Sequence, residues 1–286
     1  MTIHIARTIA DFRAWRRMVV GTLGVVPTMG YLHEGHLSLV RASRRDNAHT
    51  VATIFVNPTQ FAPNEDLARY PRDEARDLAL LETEGVDVVF APSPDEMYAP
   101  GYGTYVTVEQ LTDRLEGASR PTHFRGVTTV VLKLLNITRP DRAYFGRKDA
   151  QQLAVVRRMV RDRDVPVEIV GMPIVREPDG LAMSSRNVNL TPEQRRAALV
   201  LSKSLHLAES LSGSGQRDAG EIRASMRSLI AAEPLAAIDY ISVADAGSLD
   251  ELTSIDGPAL VSLAARFGAT RLIDNVTLTP VETIRS

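Results

Sequence analysis

The sequence predicts an α/β fold in which a doubly wound parallel sheet is followed by a smaller α+β domain. Three observations carry this. Short apolar runs alternate with segments of helical period through the first two thirds of the 286 residues, the pattern of parallel strands joined by helices. After Asn187 the alternation stops. Hydrophobic residues make up 44% and charged residues 24% of the chain, an ordinary globular composition that excludes collagen-like, coiled-coil and largely disordered architectures. At about 150 residues per domain, the length suits one large domain or one medium and one small.

Strands are expected at residues 24–26, 51–56, 86–90, 143–145 and 167–171, and amphipathic helices at 37–45, 73–84, 128–137 and 151–162. Helical crossovers between parallel strands are right-handed, so the domain is Rossmann-like, with its ligand expected at the carboxyl ends of the strands. Past Asn187, Thr191 as N-cap, Pro192 at the first helical position and Gln194 at the third start a new helix. It runs to about residue 211 and ends at Gly213, Ser214 and Gly215. A second helix near 219–232 precedes strand-like runs at 240–243, 259–264 and 271–273. The expected boundary lies between Val175 and Thr191, dividing the chain into domains at 1–176 and 177–286.

Charge and cysteine content remove whole classes of function. Lys+Arg 33 against Asp+Glu 35 leaves a net charge of -2, without the basic surplus that a nucleic-acid partner requires. The balance conceals patches: residues 1–50 hold seven Arg against three acids, 51–100 three against ten, and 101–150 eight basic against five acidic. With no cysteine there is no disulfide framework, thiolate nucleophile, iron–sulfur cluster or Cys-ligated zinc, and a cytoplasmic setting is expected. Residues 1–15 lack the pattern of a secretory leader. No run approaches the ~18 apolar residues of a membrane span.

Four polar clusters sit at strand ends. After the first predicted strand come Met29, Gly30, Tyr31, Leu32, His33, Glu34, Gly35 and His36. A glycine turn and two histidines three apart at a helix start make a phosphate-site layout, because a helix N-terminus presents free N–H groups and a positive dipole end. Zinc is the rival ligand, although helical zinc pairs stand four apart; two histidines capping a turn are the structural alternative. At the next strand end, Asn57 and Gln60 can hydrogen-bond a polar substrate without charging it, or the segment is only an Asn-Pro turn. A third cluster, Gly146, Arg147, Lys148 and Asp149, places Lys148 like a phosphate-holding lysine and Asp149 as N-cap or as partner of a ribose or metal-bound water; a charged surface turn fits equally. The fourth, Met183, Ser184, Ser185 and Arg186, offers hydroxyls and a guanidinium to a pyrophosphate, or an N-cap serine in a linker. Neither a Walker A loop nor a G-x-G-x-x-G fingerprint occurs.

Together these segments resemble one family. PTMGYLHEGH (27–36), FVNPTQF (55–61) with EDLARYPR (65–72), RPTHFRGV (120–127), FGRKDAQQL (145–153), REPDGLAMSSRN (176–187), DYISVADAGSL (239–249) and TRLIDN (270–275) are similar to the pantoate–β-alanine ligases. These belong to the HxGH nucleotidyltransferase superfamily, with the class I aminoacyl-tRNA synthetases. The resemblance implies ligation of (R)-pantoate and β-alanine to pantothenate, AMP and pyrophosphate through an enzyme-held pantoyl adenylate. It implies Mg2+ with ATP as co-substrate, no organic prosthetic group, a homodimer, and a smaller domain that closes over the active site.

The residue roles implied by the same resemblance are catalytic for His36, His33, Lys148 and Arg186, with His36 as proton donor to the departing pyrophosphate or as electrostatic stabiliser. The nucleotide site is implied at Met29, Gly30, Tyr31, Leu32, His33, Glu34, Gly35, His36, Gly146, Arg147, Lys148, Asp149, Val175, Met183, Ser184, Ser185 and Arg186. Gln60, Gln152, Asn57 and Tyr70 carry over to pantoate and β-alanine, and no motif assigns the magnesium ligands. Arg147 and Ala150 depart from the family pattern beside Lys148. The alternative is another adenylyltransferase of the superfamily, one that keeps AMP in its product.

Overall fold

The computed structural model describes residues 3–62, 65 and 67–279. The chain divides into two compact units: the first runs through Arg147 and resumes from Gln151 to Val175, and the second takes Lys148–Ala150 and the described residues from Arg176 onward.

In the first unit, β1 (His4–Ala6), β2 (Leu23–Thr28), β3 (His49–Ile54), β4 (Val88–Phe90), β5 (Arg142–Gly146) and β6 (Glu168–Met172) form one sheet in the order β1-β4-β3-β2-β5-β6. All its pairs are parallel. The helices are α1 (Ile9–Met18), α2 (Glu34–Asp46), α3 (Glu74–Thr83), the short α4 (Pro94–Met97) and α5 (Glu116–Ser119), α6 (His123–Thr138) and α7 (Ala150–Asp162). Helices cover both faces, so the central strands read as unbroken apolar runs, and Val25, Val26, Val51, Ala52, Val88 and Val89 are all buried.

The direction of winding reverses between β2 and β5. β2 pairs with β3 from Leu23 through Thr28, but with β5 only at Gly24↔Arg142 and Val25↔Ala143. Past Val25 the two central strands part, leaving a crevice at the carboxyl ends, where open α/β sheets take their ligands. Pro27, which has no N–H to donate, stands beyond the last β5 pair, and β2 continues through it against β3 two residues past the expected end.

Other departures from the expected elements have local causes. β1 is a three-residue edge strand, too short to show a pattern. α1 is capped by Thr8, whose hydroxyl accepts the Asp11 N–H (3.1 Å). α6 starts at His123 rather than 128, because Phe124, Gly126 and Val127 are already buried there although Gly126 weakens the helical signal.

The second unit contains α8 (Pro192–Ala197), α9 (Leu199–Gly213), α10 (Ala219–Ala231) and the antiparallel sheet β7 (Ala236–Asp245), β8 (Ala259–Phe267), β9 (Thr270–Leu278). The capping box forms as read: Gln194 N–H donates to Thr191 Oγ1 (3.3 Å) and Thr191 N–H to Gln194 Oε1 (3.0 Å). The single helix expected to follow is divided at Ala198 into α8 and α9. Leu201, Leu205, Ile222, Met226, Val261 and Leu263 are buried between the helices and the sheet.

Candidate active site

The turn leaving β2 is fixed by its neighbours. Thr28 donates its hydroxyl to the Thr53 carbonyl (2.6 Å) and accepts the Gly30 N–H (3.2 Å). Gly30 at φ +80 and Tyr31 at φ +50 reverse the chain, and a Cβ on Gly30 would stand 3.0 Å from Asp77 Oδ2. Asp77 of α3, 1% exposed, accepts the N–H groups of Tyr31 (2.6 Å) and Leu32 (2.7 Å). Arg76 donates to the Leu32 carbonyl (2.9 Å), and its guanidinium carbon stands 5.2 Å from the centre of the Tyr31 ring. Burial lifts the Asp77 carboxyl above its ordinary range, and the two N–H groups oppose that rise. Sequence reasoning missed this clamp, since a buried Asp on a helix carries no local signature.

His33 is the N-cap of α2. Its Nδ1 accepts the Gly35 N–H (3.1 Å), His36 Nδ1 accepts the His33 N–H (3.3 Å), and the ring centres stand 4.0 Å apart. A neutral imidazole that accepts at Nδ1 carries its proton on Nε2. Each ring therefore carries its proton on Nε2. The sequence offered backbone N–H groups to an anion here; the structure caps two of them with the imidazoles.

β3 leads to a 3-10 turn at Pro58–Gln60. Asn57, 0% exposed, accepts on Oδ1 from the Thr59 N–H (3.3 Å), the Thr59 hydroxyl (2.9 Å) and the Tyr98 hydroxyl (2.8 Å). Its Nδ2 donates to Gln60 Oε1 (3.1 Å) and to the Gly126 carbonyl (3.1 Å). That amide is fully engaged, and it orients Gln60, whose Nε2 faces Met29 Sδ at 3.1 Å. The start of α6 closes on the same turn: His123 Nδ1 donates to the Gln60 carbonyl (3.0 Å), and Arg120 reaches that oxygen (3.4 Å) while pairing with Glu65 (2.5 Å). Burial, with the Arg120 charge, lowers the His123 pKa to about 4, so the ring is a fixed neutral donor. Tyr70 is buried edge-on against Phe61, ring centres 6.0 Å apart.

The two glutamines of α7 divide their work. Gln151, 4% exposed, donates to the carbonyls of Leu111 (2.8 Å) and Arg114 (2.7 Å) and accepts the Glu116 N–H (2.9 Å). Gln152 is half-buried and takes no part in that network. Ahead of them, Gly146 ends β5 and a 3-10 turn at Arg147–Asp149 leads into α7. Arg147 Nε donates to the Gly171 carbonyl of β6 (3.2 Å), so this departure from the family pattern is tied to a neighbouring strand. Lys148 is half-buried and Asp149 exposed.

In the second unit, Arg176 bridges Ala182, and Pro178, Asp179 and Gly180, the last at φ +95, close the turn between them. The Ser184 hydroxyl accepts the Arg186 N–H (3.3 Å) at the start of a 3-10 turn over Ser185–Asn189, and Asn187 Nδ2 donates to the Ala182 carbonyl (3.1 Å). Ser185 is buried; Val175, Met183, Ser184 and Arg186 are half-buried. Among the described residues no group of three or more His, Cys, Asp or Glu stands together as a metal cage, and no helix is long and apolar enough to cross a membrane.

A parallel sheet with its crevice at the β2/β5 switch point, bearing paired imidazoles and an oriented amide on the turns beyond its strands, has the architecture of a nucleotide-handling α/β enzyme. The pantoate-beta-alanine ligase family model matches residues 4–277. The pantothenate synthetase of Roseiflexus sp. (strain RS-1) is 60% identical over 276 residues, covering 96% of this chain and 99% of that protein. The crystal structure of pantothenate synthetase from Thermus thermophilus matches with a TM-score of 0.93 and 49% identity over 97% of this chain and all of that one. Pantoate-beta-alanine ligase from Francisella tularensis, in complex with beta-gamma ATP and beta-alanine, matches with a TM-score of 0.81 and 35% identity, covering 96% of this chain and 97% of that one. The chain belongs to the pantoate–β-alanine ligase family.

Proposed function

We propose that this chain ligates (R)-pantoate and β-alanine to pantothenate, converting ATP to AMP and pyrophosphate. The observation that carries the proposal is the His33–His36 pair, whose Nδ1 atoms both accept from the backbone and so leave the ring proton on Nε2, the donor suited to phosphoryl oxygens. A carboxylate is a poor acyl donor because its leaving group is oxide. In the first step a pantoate carboxylate oxygen bonds to the α-phosphorus, the bond to the bridging β-phosphate oxygen breaks, and pyrophosphate leaves with that electron pair. In the second the β-alanine nitrogen attacks the acyl carbon, the bond to the AMP oxygen breaks, and the amine proton passes to solvent.

His33 and His36 stabilise charge growing on the phosphoryl oxygens. Lys148 adds positive charge at the α-phosphate, and Ser184, Ser185 and Arg186 hold the β- and γ-phosphates. Met29–His36, Gly146–Asp149, Val175 and Met183 line the nucleotide. Gln60 and Gln152 bind pantoate with neutral amides, which leave its carboxylate nucleophilic; Asn57 acts through Gln60, and Tyr70, packed on Phe61, lines the same substrate. Magnesium fits as a passenger of the triphosphate, because that ion is held by few protein ligands and many phosphate and water oxygens; bound, it neutralises phosphate charge. A cytoplasmic homodimer belongs to the same proposal, on the family resemblance.

The test is exchange of labelled pyrophosphate into ATP. We expect exchange that requires pantoate and proceeds without β-alanine; its absence with Mg-ATP and pantoate sinks the adenylate, and AMP retained in the product favours the adenylyltransferase alternative. His36→Ala and Lys148→Ala are each expected to slow exchange by at least ~10²-fold with the circular dichroism spectrum unchanged. A folded variant with near-normal exchange removes that residue from the mechanism.

A further inference from the structure

We propose that Asp274 and Asn275, consecutive on β9, are positioning residues for adenylation: Asn275 sets Lys148 through its main-chain carbonyl, and Asp274 sets the 184–186 segment through Arg176. This rests on the phosphate-binding roles given above to Lys148 and to Ser184, Ser185 and Arg186.

Lys148 lies in a three-residue 3-10 turn with no buried residue, and such turns have poor internal hydrogen-bond geometry. Packing within the turn does not aim its ammonium. Yet Lys148–Ala150 belong to the second unit while Arg147 and Gln151 on either side belong to the first. Asn275 Nδ2 donates to the Lys148 carbonyl at 2.8 Å. Asn275 is 7% exposed and paired in register with Ser262 of β8, so its donor sits on a rigid element and fixes the backbone from which the lysine side chain departs.

Asp274 reaches the other segment. It is 2% exposed, and its carboxylate takes a fork from Arg176 at 2.7 and 3.0 Å. The same guanidinium donates to the Gly180 carbonyl (3.0 Å), closing the 176–182 hairpin from whose end Ser184, Ser185 and Arg186 continue. Buried ion pairs add little over apolar packing in net stability, while a bidentate pair fixes direction as well as distance. Asp274 Oδ1 also accepts the main-chain N–H of Asn275 (2.8 Å), which ties the carboxylate to the next residue of β9. Successive strand residues point to opposite sides, which lets one dipeptide hold two segments.

The experiment is a pair of double-mutant cycles in the full-length enzyme, read by pantoate-dependent ATP–pyrophosphate exchange and by the apparent KM for ATP and for pantoate. Lys148→Ala and Arg186→Ala are measured first; near-normal exchange in both overturns the reading of those residues, not of the dipeptide alone. With those losses in hand, Asn275→Ala is expected to slow exchange about tenfold and raise KM for ATP, not for pantoate, as displacement of a reacting group by a fraction of an ångström does. On the Lys148→Ala background the same substitution is expected to cost less than about twofold. Asp274→Asn behaves likewise with the partners exchanged, its loss vanishing on Arg186→Ala and persisting on Lys148→Ala; Arg176→Lys, which keeps the charge and loses the fork, replaces it if it does not fold. Losses that multiply in both cycles, a parallel rise in both KM values, or wild-type exchange in Asn275→Ala overturn the proposal.

Discussion

His123 shows how burial turns a titratable side chain into a fixed part of the scaffold. Its pKa falls from 6.5 to about 4, so between those values the unfolded chain binds a proton that the native state refuses. Stability therefore rises with pH across that window; the contribution is complete above about pH 6.5 and is lost as the pH falls toward 4, at up to about 1.4 kcal/mol per pH unit. Asp77, whose carboxyl is raised, acts with the opposite sign above the ordinary carboxylate range. We expect the urea midpoint of the native chain to fall between pH 7 and 5, and to fall less in His123→Asn, whose amide donates to the Gln60 carbonyl without titrating. An identical pH dependence in the two would return His123 to an exposed, ordinary imidazole. At this scale the sequence marks residues whose chemistry is local: His33, His36, Gln60 and Lys148 stand out because glycine, proline and strand ends surround them. Asp77, Arg76 and Gln151 do not stand out, because each meets its partners 35 to 46 residues away in the chain.

The start of α6 is the element on which the amide site depends. Gly126 packs against the 3-10 turn so closely that a Cβ there would stand 2.6 Å from Gln60 Cα and closer still to the Thr59 backbone. Neither contact is a flexible side-chain end, so the turn or the helix must shift. Gly126→Ala is expected to destabilise the chain by about 1–3 kcal/mol and to raise KM for pantoate, measured by urea unfolding and steady-state assay. Gly213→Ala is the control: nothing lies within 4 Å of its Cβ, and the gain in helix propensity is about 0.5–1 kcal/mol. Equal behaviour of the two substitutions would detach Gly126 from the site. The sequence shows Gly126 only as a weak point in a helix, which is why the helix was expected to begin five residues late. The glycine is there for the approach of another backbone, and helical propensity carries no record of that approach.

For the whole molecule, a net charge of -2 averages over stretches of opposite sign, and the basic ones include the turns proposed to meet a triphosphate. The homodimer implied by the family resemblance is testable at the same scale: light scattering is expected to return twice the mass of one chain at micromolar concentration, and a monomer there would remove it. The sequence by itself determined the parallel α/β sheet, the change to a smaller α+β unit, and the turns that bear imidazole, amide and ammonium, because strand period, helix period, caps and breakers act within a few residues. Only the tertiary structure decided where the central strands part beyond Val25, which glutamine is structural, which nitrogen of each imidazole the backbone engages, and that β9 grips both Lys148 and Arg176. Those outcomes depend on contacts between segments distant in the chain, whose energies are settled by burial and hydrogen-bond satisfaction in the assembled fold.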